Sequence, residues 1–144
     1  MWADALLIAE RGHVLRLGLW AATSVLAGLL LFGWLALRRV QAPFIRNFAI
    51  QMFAWGTVDL VIAAFAFQGL AMRDYASAMR MQQFLWLNAG LDVGYAAVGA
   101  TLAIAGWRIG QSLSAVGAGV GVIVQGFALF VLDIRLLTIM SSTQ

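Results

Sequence analysis

Four long apolar segments with arginines at their ends constrain this chain more than any other feature of it. Residues 17–37 supply about 21 positions, or ~31 Å of helix, which matches the thickness of a bilayer core. Arg16 precedes that segment, and Arg38 and Arg39 follow it. Residues 47–71, 81–105 and 113–134 repeat the pattern, and the last can be extended to Met140. A helix on the surface of a soluble protein keeps a polar face for water, and these segments leave none. Composition agrees: 63% of residues are hydrophobic and 10% charged, against about 45–50% and 25% in soluble domains. The two-residue alternation of a membrane β-barrel is absent. The expected fold is therefore all-α, an integral membrane four-helix bundle with short loops, forming a single transmembrane domain over residues 1–144.

The flanks fit that scheme. Pro43 can open the second helix, because proline is tolerated in a first turn. Arg73, Asp74 and Tyr75 close the second segment, and Gly106 and Gly110 mark the third turn. Trp34, Trp86 and Trp107 lie toward segment ends, as in an aromatic belt. The stretch 2–11 reads equally as a short N-terminal interfacial helix capped by Asp4 or as extra turns on the first span. Residues 1–16 carry Asp4 and Glu10 and lack the long apolar core and cleavage site expected of a signal peptide. Four spans put both termini on one side. That side holds Arg11, Arg16, Arg73, Arg80 and Arg135, and the other holds Arg38, Arg39, Arg46 and Arg108. The balance barely decides orientation, with the Arg38–Arg39–Arg46 cluster weakly favouring that loop inside. All nine basic residues are scattered arginines rather than a stripe, so no nucleic-acid partner is expected.

In lipid, helices associate through close backbone approach and interhelical hydrogen bonds, so small and polar residues mark the inward faces. Ala21, Ser24 and Gly28 form such a face in the first helix; Gly56, Asp59, Ala63 and Ala66 do so in the second. The third carries Asn88, Asp92, Ala96 and Gly99, and separately Gly90 and Gly94 four apart. The fourth carries Gly117, Gly121 and Gln125 in four-residue steps, and Gly119, Gly126 and Asp133 seven apart. Gly56, Gly90, Gly94, Gly117, Gly121 and Gly126 are the expected packing positions.

Asp59 and Asp92 fall near mid-membrane, where a carboxylate costs at least ~2.5 kcal/mol to insert. With Asn88, Tyr95 and Gln125 they make up a candidate intramembrane polar site. Two readings stand at this point. A protonated aspartic acid bonded to Asn88 or Gln125 is interhelical glue; otherwise the acids serve a proton, ion or ligand. Asp133, with Arg135 and Arg16 on the same side, reads as an interfacial ion pair. His13 is the only histidine and there is no cysteine, so no metal site and no cofactor is evident. No nucleophile elbow, P-loop or dinucleotide fingerprint is present. Gly56-Thr57-Val58-Asp59 before Ala63-Ala64 echoes Ala89-Gly90-Leu91-Asp92 before Ala96-Ala97, too briefly to establish an internal repeat.

Three stretches carry a resemblance. They are Gln51-Met52 through Trp55-Gly56 to Val58-Asp59-Leu60 with Ile62-Ala63; Leu87-Asn88-Ala89-Gly90-Leu91-Asp92-Val93-Gly94-Tyr95; and Val124-Gln125-Gly126 through Leu129-Phe130 to Asp133. On these residues the chain resembles an uncharacterised family of small four-span bacterial membrane proteins. The resemblance covers the last three helices and implies a four-helix fold in a bacterial inner membrane. It marks Asn88, Asp92, Tyr95, Gln125 and Asp133 as positions of interest. Position 59 more often carries asparagine in that family, and a basic residue expected early in the fourth helix is replaced by the run from Gly117 to Gly121. The resemblance brings no substrate and no activity.

Without a nucleophile–base set the sequence favours a non-enzymatic role. The first expectation is an accessory or self-associating subunit of a membrane assembly, whose partners are the lipid bilayer and itself or other membrane subunits. The alternative is a small proton- or ion-coupled transporter or channel using the intramembrane aspartates.

Overall fold

The computed structural model describes residues 2–142, and its elements are four helices: α1 (Trp2–Arg38), α2 (Pro43–Gln68), α3 (Tyr75–Arg108) and α4 (Leu113–Ser142). All four are long and apolar enough to cross a membrane. The expected all-α four-helix bundle with short loops is what forms.

Several boundaries differ from the apolar segments, each for a local reason. α1 runs unbroken from Trp2, so its N-terminal stretch extends the first span rather than forming a separate interfacial helix. Asp4 lies in the first turn instead of capping it, where a carboxylate favours the helix dipole. At 37 residues, ~55 Å, α1 is longer than a bilayer core is thick. It ends where Arg39 takes the left-handed conformation at φ 51°. The Arg39 and Val40 amides then bond to the carbonyls of Ala36 and Leu35, each at 3.3 Å, which closes the last turn. Pro43 is the first residue of α2. Asp74 belongs to α3, not to the end of α2: as N-cap its side chain accepts the Ser77 amide at 2.8 Å. Hydrogen bonds from the Ser77 hydroxyl and amide hold the Asp74 carboxyl below the usual carboxylate range. Gly106 is buried inside α3, and Gln111, at φ 45°, makes the following turn.

The helices lie side by side in the order α1, α2, α4, α3, with α4 also touching α1. Between α2 and α3 no backbones approach closely. At the end holding both described chain ends, Leu6, Ala78, Leu85, Leu136, Leu137 and Met140 form the apolar core.

Small residues set these contacts. On α4 the two glycine lines serve two neighbours. Gly117 lies against the Phe44 carbonyl, and a Cβ on Gly121 would come within 2.6 Å of Gln51 Cβ, both on α2. Gly119 meets the Gly99 carbonyl, and a Cβ on Gly126 would stand 2.7 Å from the Asp92 carbonyl oxygen, both on α3. Gly56 sits on Ser24 and Val25 of α1. Gly90 and Gly94 correct the expectation: both are exposed, and a Cβ at either would meet nothing within 4 Å. Gly90 lies two residues, roughly 200° around the helix, from the line through Asp92 and Gly99 that faces α4.

Candidate functional site

The gap between α2 and α3 opens into a cavity of about 480 Å³. Each helix contributes one turn-spaced row to it. α1 gives Glu10, His13 and Leu17; α2 gives Trp55, Asp59 and Ile62; α3 gives Asn88, Asp92 and Tyr95; α4 gives Leu129 and Asp133. The three- and four-residue steps place each row on one helix face. Trp55 and Tyr95 stand at the end away from the described chain ends, their rings 5.3 Å apart and tilted by 55°. Toward the chain ends the cavity reaches Glu10 and Arg73.

Four of the five expected polar-site residues, Asp59, Asn88, Asp92 and Tyr95, line this space. Gln125 does not. It is 2% exposed, accepts the Trp20 indole N–H at 2.8 Å and reaches the Met52 sulfur at 3.6 Å, linking α1, α4 and α2 beside the cavity. Asp59 is 3% and Asp92 5% exposed. One oxygen of each, Oδ2, is buried with no hydrogen-bond partner among the described residues. The bonds from Asn88 or Gln125 that interhelical glue requires are not formed: Gln125 is committed to Trp20 and Met52. Packing of Gly126 against the Asp92 backbone fixes where that carboxyl enters the cavity.

The expected ion pair of Asp133 with Arg135 and Arg16 is replaced. Asp133 faces inward to His13, with Nε2 3.5 Å from Oδ1, while His13 Nδ1 lies 3.3 Å from the Leu132 carbonyl. Arg135 points outward, one position around from the buried pair Leu136 and Leu137. One further group escaped the sequence reading. Glu10 is buried and takes a two-pronged ion pair from Arg73, whose Nε donates at 2.9 Å and whose second nitrogen donates to the other carboxylate oxygen. Those bonds raise the Arg73 guanidinium above its ordinary value, so it stays charged. A signal was present: Leu6, Glu10, Val14, Leu17, Ala21, Ser24 and Gly28 follow three- and four-residue steps, so Glu10 continues the inward face of α1.

This ion pair ties α1 to the α2–α3 loop. Arg73→Gln is expected to cost about 2–3 kcal/mol, because Glu10 is left buried without its partner. Thermal unfolding in detergent measures it, and the double variant Glu10→Gln/Arg73→Gln should recover most of the loss. An unchanged midpoint in the single variant would show that the pair contributes nothing.

A family of unknown function (DUF6992) matches residues 16–134. The chain belongs to this family. The match spans all four helices and includes every cavity residue named above except Glu10 and His13, which precede it. No curated protein and no solved structure matches the chain. Membership in DUF6992 therefore carries no activity, and chemistry must be read from the cavity. Among the described residues no three His, Cys, Asp or Glu side chains are grouped to hold a metal ion.

Proposed function

We propose that this chain is a small proton- or ion-coupled membrane transporter whose working groups are Asp59 and Asp92, seated in a bacterial inner membrane. One observation carries the reading: two buried carboxyls, each with an unpartnered oxygen, line a single open cavity. Buried polar groups are normally satisfied, and an exception calls for an explanation such as a functional role. Intramembrane acids that face a cavity mark proton or substrate pathways by the same logic. Asp59, Asp92 and Asp133 line the same cavity, so a proton or cation arriving at one changes the field at the others.

The test is reconstitution. Liposomes holding the protein should dissipate an imposed pH gradient faster than empty ones. Asp59→Asn and Asp92→Asn should each slow that dissipation at least tenfold while eluting from a sizing column like the wild type. Wild-type liposomes as tight as empty ones would overturn the reading.

A second reading, an accessory or self-associating subunit, draws on Gly90 and Gly94. Their outward stripe is open to a second helix. Native mass spectrometry after gentle extraction separates the two: reproducible recovery of one larger complex favours the subunit.

A further inference from the structure

We infer that the ligand of this cavity is an amphiphilic organic cation, a primary ammonium group carried on an apolar or aromatic body. The inference rests on the reading of Asp59 and Asp92 as working groups and names what they hold.

The charges lining the cavity fall into two sets. Glu10 is satisfied by Arg73, and Asp133 has His13 beside it. Asp59 and Asp92 have no partner among the described residues, and each leaves Oδ2 buried and unbonded. What they lack is positive charge and hydrogen-bond donors together. A primary ammonium supplies one charge and three donors at a single nitrogen.

The rest of the cavity argues about size and polarity. About 480 Å³ is far more than a bare ion occupies and lies within the range of small-molecule sites. Hard metal cations need six or more oxygens around them, whereas Val58, Ile62, Leu91 and Leu129 give this cavity largely apolar walls. Trp55 and Tyr95 also line the cavity, each within one helical turn of one of the two acids, where ring faces favour a cation. α2 and α3 make no close backbone contact, so an amphiphile can enter sideways from lipid between them. An apolar body with a charged head matches this route and this lining; a bare proton or metal ion leaves the apolar volume unexplained.

Equilibrium dialysis of radiolabelled 2-phenylethylammonium against the purified full chain in detergent tests the inference. Saturable binding near one per chain is expected. Asp59→Asn and Asp92→Asn should each weaken it at least tenfold, with unchanged elution as the folding control. 2-Phenylethanol, which has the same ring without the charge, and potassium at matched ionic strength should not compete. Absence of saturable binding overturns the inference, as does equal competition by 2-phenylethanol, which would make the cavity merely apolar. So does undiminished binding to both Asn variants. The liposome assay separates this failure from that of the wider reading. Aspartate-dependent proton flux without amine binding leaves the transporter standing and removes the organic cation, and loss of both removes the site.

Discussion

Gly119→Leu and Gly126→Leu are expected to destroy the bundle, while Gly90→Leu leaves it intact. At Gly126 the first added carbon would stand 2.7 Å from the Asp92 carbonyl oxygen and 3.1 Å from the Ala96 amide nitrogen. At Gly119 it would meet the Gly99 carbonyl, with the Ala103 amide nitrogen at 2.6 Å. These neighbours are backbone atoms of α3, which cannot swing aside as a side chain can. The helices must separate, and separation removes the close approach that holds helices together in lipid. Overpacking a core ordinarily costs about 1–3 kcal/mol; two backbones forced apart should cost at least the upper end. Loss of the folded peak on sizing chromatography, or a steep fall in the detergent melting temperature, is the expected result. Gly90→Leu should shift stability by less than about 0.5 kcal/mol, since no atom stands within 4 Å of the new carbon. Intact Gly126→Leu protein would show that α3 and α4 do not pack as described. A damaged Gly90→Leu variant would place a second helix, from another copy or another subunit, on the outward face of α3.

The contrast between these glycines shows what the sequence can and cannot tell. Apolar length and arginine flanks were enough for four helices, because lipid permits few other solutions. Heptad spacing was enough to see that Gly119, Gly126 and Asp133 share a line. It was not enough to assign that line to α3 and the line through Gly117 and Gly121 to α2, since spacing within a helix says nothing of which neighbour it meets. Gly90 and Gly94 have the same small-residue signature as the packing glycines, and only the position of α4 excludes them. The acids follow the same rule. Asp59 and Asp92 were legible as costly residues at mid-membrane. Their gathering with Asn88 and Tyr95 in one cavity depends on α2 and α3 standing apart, a long-range fact that no local pattern encodes. Gln125 looked alike in sequence but was claimed by Trp20, a partner 105 positions away. Asp133 reads in sequence as half of an interfacial ion pair because it lies two positions before Arg135, yet the helix turn points it at His13.

Replacing an aspartate of the cavity by leucine is expected to stabilise the protein, and that sign separates a working site from a structural one. A residue kept for packing loses stability when removed. Asp59 and Asp92 each bury an oxygen that bonds to nothing among the described residues, and an unsatisfied buried polar atom costs about 1–3 kcal/mol. The two carboxyls also line one cavity, which adds repulsion whenever both are charged. The added volume of leucine can occupy part of the adjoining cavity. Asp59→Leu and Asp92→Leu should therefore raise the unfolding free energy by about 1–3 kcal/mol each, read as a higher melting temperature in the same detergent. The gains should fall short of additive in the double variant, because removing one acid already relieves the repulsion on the other. Proton flux and ammonium binding should be lost in all three. Asp92→Asn serves as the intermediate case: it removes the charge but keeps a polar group without a partner, so it should gain less stability than leucine does. A fall in stability on Asp92→Leu, comparable to that of removing a core side chain, would mean that the carboxyl holds α3 in place. Interhelical glue would then account for its burial, and the transporter reading would lose its central residue.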